Sequence, residues 1–312
     1  MIHIFLRKGA CEVRCVVAVL GLVLTVTGGS AWGWWPGGHS ILTRAAVQAL
    51  PEDVPAFFRS GAGMVAHGSY DPDVSKNRGT PHLRAAEYAE HFLDLELLKG
   101  RELPDDRYAY VALCCELGVK PEKAGFLPYA LCEWTERLAV AFAEHRKWPG
   151  NPFVQNKCLV YAGFISHYAQ DMCQPLHLTI HYDGRIQQDG SKLGKGIHAK
   201  VDGIVEYLAL DPNDLAGGQK VEPLADLMPG ILGQLEAGYS LVDRVYELEA
   251  HLPSGEGKAQ EPPVPAVVDF ATERAREATR FTASLYLTAW RLSEKVSLPG
   301  WLDRARDDQG AF

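Results

Sequence analysis

The chain has 312 residues, 47% of them hydrophobic and 22% charged, with a formal net charge of −8. That length buries a sizeable core in one large domain or two small ones. The acidic balance excludes the broad basic face of a protein that grips duplex nucleic acid, and none of the seven cysteines has the C-x-x-C spacing of a zinc knuckle.

The first 31 residues read as a secretory leader. Arg7, Lys8 and Arg14 form a positive start, residues 16–27 an apolar run, and residues 28–31 a small-residue cleavage region. The run is too short to span a bilayer comfortably, so the expectation is an exported chain, secreted or periplasmic, with residues 32–312 as a single domain. Taking three basic and one acidic residue from totals of 31 and 39 leaves 28 and 38, a net charge of −10. Bound divalent cations would reverse that sign locally. Five cysteines remain (Cys114, Cys115, Cys132, Cys158 and Cys173), an odd number that leaves room for one or two disulfides after export.

Beyond the leader, apolar residues recur at helical spacing over 39–50, 83–98, 129–148, 158–172, 198–210 and 271–295. Strand-like alternation is scarce. Residues 177–196 and the Pro-rich 252–266 read as irregular. The pattern predicts an all-α domain of seven to nine helices with no transmembrane anchoring.

Within it, residues 167–177 read HYAQDMCQPLH. His167 and Asp171 are four apart and share a helix face, and His177 follows Pro175, where a helix ends. The preceding run, 158–166, is apolar, so these polar groups need partners. His198 and Asp202 repeat the four-residue spacing. His91 stands in EHFLD, His39 opens the first helix, and Asp71 and Asp73 stand in GSYDPD. A lone buried histidine is more often a satisfied core residue than a ligand. The set speaks for metal, because two ligands from one helical turn completed from elsewhere are a recurrent zinc arrangement.

In order, WGWWPGGH, SYDPD, EHFLD, HYAQDMCQPLH and GIHAKVDG resemble the zinc-dependent phospholipase C and single-strand-specific nuclease superfamily, from Trp32 to about Asp202. The resemblance implies an all-α fold holding three zinc ions in a cleft. One zinc would take the amino nitrogen and carbonyl oxygen of Trp32, exposed by cleavage after Ala31, together with His39 and Asp171. Asp171 would bridge to a second, held by His91, His167 and Asp73, and the third would take His177, His198 and Asp202. Trp34 and Asp71 stand as alternatives to Trp32 and Asp73. Gln170 and Cys173 depart from the residues usual in the family.

The same resemblance implies hydrolysis of phosphate esters, with Asp73 orienting or deprotonating the attacking water and Phe92 and Asp94 contacting substrate. Asp202, QPLH and the long loop after His177 tilt the expected substrate towards single-stranded nucleic acid or nucleotide, with phospholipid as the alternative. No stable protein partner is expected. A reading of a different class is a non-catalytic, zinc-stabilised exported protein.

Overall fold

The computed structural model describes residues 34–253 and 262–305, with side chains through residue 302. The expected leader, Trp32 and residues 254–261 of the Pro-rich segment lie outside the described residues. All those described belong to one unit, Ala31–Phe312.

The fold is all-α. Two 21-residue helices, Leu127–Lys147 and Pro152–Met172, pack on each other across a four-residue connection. Pro149 and Gly150 prevent continuation of the first. Asn151 starts the second, its side-chain oxygen accepting from the Phe153 and Val154 amides at 2.9 and 3.3 Å. The 28-residue helix Pro265–Leu292 packs against both, burying Phe281, Tyr286 and Trp290. The amino-terminal helix Pro36–Gln48 packs on it and on the short helix Ala62–Gly68. Pro152–Met172 is therefore enclosed, and thirteen of its residues are buried. That accounts for the apolar composition of its sequence.

One close approach positions the site. A side chain added at Gly163 would bring its Cβ within 2.9 Å of the Gly68 carbonyl carbon, so glycine is needed where the Ala62–Gly68 helix meets the central one. The next residue, Ser69, thereby places its carbonyl against His167.

Several expectations are corrected. The described residues hold fifteen α-helical segments rather than seven to nine, many of one or two turns. The helix expected over 83–98 stops at Glu87, tightens to a 3₁₀ turn at Tyr88–His91, and becomes extended at Phe92. Backbone bonds to distant segments draw it out of the helix: Leu93 donates to the His177 carbonyl at 2.9 Å and Asp94 to that of Ala124 at 2.7 Å. Gly125, at φ +98°, admits the Phe92 carbonyl where a Cβ would collide.

The helix expected over 198–210 divides into Ile197–Asp202 and Ile204–Tyr207, because the Asp202 carbonyl accepts from the Trp35 amide instead of continuing the helix. Asp71–Ser75, which includes the DPD of GSYDPD, is a short helix. Residues 177–196, expected to be irregular, contain a two-stranded hairpin, Arg185–Ile186 with Lys192–Leu193. Cys114, Cys115, Cys132, Cys158 and Cys173 are all free thiols, so the one or two disulfides for which the sequence left room do not form among the described residues. No helix among the described residues is long and apolar enough to cross a membrane.

Candidate metal centre

Eight of the residues singled out in sequence converge into three buried groups. His39, His167 and Asp171 form one, Asp73, His91 and His167 a second, and His177, His198 and Asp202 a third; within each, the nitrogen and carboxylate oxygen atoms lie within 4.8 Å of one another. Asp171 joins the first two: Oδ1 is 3.6 Å from His39 Nε2, and Oδ2 is 3.2 Å from both His91 Nδ1 and His167 Nε2. His177 Nδ1 stands 3.6 Å from that same oxygen. Asp73 joins the second group, while Asp71 does not enter any of the three.

Four of the five imidazoles have one nitrogen fixed by a hydrogen bond, which sets the tautomer and the direction of the other. His39 Nδ1 meets Gln170 Oε1 at 2.6 Å, and His167 Nδ1 meets the Ser69 carbonyl at 2.8 Å. His177 Nδ1 meets the His91 carbonyl at 2.7 Å, and His198 Nδ1 the Tyr182 carbonyl at 3.2 Å. In all four, Nε2 is the atom turned to the group. His91 is reversed: its Nδ1 faces inward, and its Nε2 faces Glu87 at 3.6 Å. Asp202 Oδ1 accepts from Gln174 Nε2 at 2.8 Å, leaving Oδ2 for His198 Nε2 at 3.1 Å.

The donor set fits divalent cations. His39 Nε2, His177 Nε2, Asp171 Oδ1 and Asp73 Oδ2 are buried without a hydrogen-bond partner in the protein, although buried polar atoms are normally paired. All four belong to residues of the groups, and three mixed nitrogen and oxygen sets suit zinc. Burial, reinforced by the neighbouring His167, pushes His39 down to about 3. Burial likewise pushes His177 down to about 4. Both rings are therefore neutral at physiological pH, the form that ligates metal. Burial opposes ionisation of Asp73, but His167, Lys76 and His91 outweigh it and hold the carboxyl at about 2. Burial raises Asp202 to about 7 against the pull of His198.

Beside the second and third groups lies a cavity walled by Tyr88, Phe92, Asp94, Leu176, Tyr182 and Lys123, with His91, His177 and His198 at its base. Phe92 and Asp94, expected to meet substrate, both face it. Burial raises the Asp94 carboxyl to about 7, assisted by Glu96 and opposed by Lys192.

Two residues carry more of the site than their sequence positions suggested. Gln170, noted only as a departure from the family pattern, accepts from His39, donates from Nε2 to Thr43 Oγ1 at 2.9 Å, and its carbonyl accepts from Trp34 Nε1 at 3.0 Å. Trp34, the alternative to Trp32, is thus buried with its indole held. Lys76 escaped notice altogether: it is buried, with its ammonium 2.5 Å from Asp73 Oδ1. Its three-residue spacing from Asp73 on a short helix was the available signal. Cys173 is buried and belongs to none of the groups. His67 pairs with Tyr70 and His181 accepts from the Ile186 amide.

No family model matches this chain, and no curated protein matches it. Among solved structures, it is similar to the alpha toxin of Clostridium absonum, with 15% identity over 86% of this chain and 67% of that one, at a TM-score of 0.43. It is also similar to an alpha-toxin of Clostridium perfringens from an avian strain, with 16% identity over 88% and 67%, at 0.40.

Proposed function

We propose that this chain is a metal-dependent hydrolase of phosphate esters, with zinc at its three His/Asp groups. One observation carries the reading: buried ligand-type atoms without partners converge in three neighbouring groups, two of which share His167 and are spanned by the Asp171 carboxylate. A structural metal site needs one closed set of four ligands. Three adjoining sets beside an open cavity suit catalysis better than stabilisation alone.

Zinc, when bound, lowers the pKa of water towards neutrality and offsets the charge of a phosphate. The chain's own part is to hold and orient. Asp73 stays ionised above about pH 2 and is paired with Lys76, which suits orienting a water more than taking its proton. Asp171 ties the first two groups together. Trp32, as the amino terminus left by leader removal, would complete the first group beside His39. Phe92 offers a flat apolar face and Asp94 a carboxyl that is partly protonated near neutrality.

The substrate class has two readings. The aromatic cavity with Asp94 favours a nucleotide or single-stranded nucleic acid, since a planar base stacks on Phe92 and meets Asp94 with polar edge atoms. A phospholipid head group would reach the same metals without using that pair. The deciding experiment measures zinc by mass spectrometry and compares hydrolysis of single-stranded DNA, RNA, 3′-nucleotides and phosphatidylcholine. Fewer than two zinc ions per chain would overturn the mechanism, and cleavage of the lipid alone would replace the nucleotide reading.

A further inference from the structure

A second cavity adjoins the one over the metal groups, and the two share Tyr88, Glu122 and Lys123 in their walls. Its remaining lining includes Arg78 and Arg84. Three cations against one carboxylate, Glu122, is a local reversal in a chain of net charge −8. Arg84 is held in place: its guanidinium donates to the Lys76 carbonyl and lies 4.8 Å over the Tyr88 ring. That fixes a planar donor before any ligand arrives, so less entropy is lost on binding. Arg78 and Lys123 are exposed, on segments flanking the same cleft.

We propose that Arg78, Arg84 and Lys123 form a subsite for a second phosphate group of the substrate, so that the preferred substrate is a phosphodiester chain rather than a molecule with one phosphate. This rests on the phosphoesterase reading of the metal groups. A substrate with a single phosphate spends its charge at those groups and leaves the three cations without an anion. A chain continuing past the scissile bond carries its next phosphate into the adjoining cleft, where arginine gives a forked, charge-assisted contact. Tyr88, between the two cavities, offers a ring for an intervening base.

The test uses the zinc-loaded protein and thymidine oligonucleotides of two, three and four residues, which carry one, two and three phosphodiesters. The second phosphate should raise kcat/KM on the order of tenfold, and the gain should shrink as salt rises. The doubly substituted Arg78→Glu, Lys123→Glu protein should keep less than a third of that gain. Binding of a phosphorothioate tetramer, followed by fluorescence anisotropy, should weaken in parallel. Equal gains in both proteins, or no gain in either, would overturn the subsite. If no phosphate ester is cleaved at all, the hydrolase reading fails, and the anisotropy measurement still decides the subsite. Substitution-sensitive binding to phosphatidylserine vesicles, with no effect of the second phosphate, would assign the cleft to a lipid surface instead.

Discussion

Asp171 Oδ1 stands 3.6 Å from His39 Nε2, while Oδ2 of the same carboxylate is turned to His91 and His167. One side chain thus faces atoms of two of the three groups, and its carboxyl is held well below the ordinary carboxylate range: burial opposes ionisation, and His167 and His177 outweigh it. By contrast, Asp202 sits in the third group alone.

That difference is measurable. Asp171→Ala should remove two of three zinc ions and lower activity beyond the ~100-fold typical of losing an outer partner. Asp202→Ala should remove one ion and cost less. Zinc counts and kcat/KM on one phosphodiester check both, and equal losses would mean that Asp171 does not bridge.

Gln170 orients His39 through Nδ1 and ties it to Thr43. Gln170→Leu should weaken zinc binding at the first group by about 10- to 100-fold, as read by competition with a chelator. Thr43→Val removes only the far end of the chain of hydrogen bonds and should weaken it much less.

Asp94 gives a pH dependence with a definite sign. Its folded carboxyl is raised to about 7 from 3.8, so the folded state binds the proton more tightly than the unfolded one. The associated stability is fully present below about pH 4 and is lost as pH rises through 7. Asp94→Asn removes that loss. Relative to wild type, it should gain on the order of 4 kcal/mol between pH 4 and pH 8, measured from urea midpoints.

Removing metal should destabilise the fold, since ligand binding to the native state adds about 2.7 kcal/mol at a hundredfold excess over Kd. Thermal unfolding after chelation should show a lower Tm, restored by zinc. An unchanged Tm would contradict the fit of the three groups to cations.

Gly163→Ala places a methyl against Gly68 and should cost about 1–3 kcal/mol through overpacking. Because Ser69 moves with Gly68, zinc affinity at His167 should fall as well. Ala162→Gly, one residue away, changes no such contact and serves as the comparison.

Periodicity exposed the long helices, since each buries one broad face, but it placed the starts of two of them six residues late, at 158 against Pro152 and at 271 against Pro265. It failed at residues 83–98, where hydrogen bonds to residues 124 and 177 override a good helical pattern; such bonds leave no trace in local spacing. The residues of the three groups were legible because histidine and aspartate in apolar runs demand partners. Which nitrogen faces inward was not, because Ser69, Gln170 and Tyr182 supply their contacts from remote or unpatterned positions. Lys76 was hidden for a related reason: a lysine beside an aspartate looks like any solvated pair until burial is known.

The three groups gather segments from His39 to Asp202, a separation of 163 residues, and hydrogen bonds from the His177 ring and carbonyl lace it to His91 and Leu93. Contacts so distant along the chain close late in folding, because loop entropy is lost before they form. The centre is therefore a clasp made at the end of assembly. Zinc should slow unfolding far more than it speeds folding, so that the loaded protein owes its endurance to the rate at which the clasp opens.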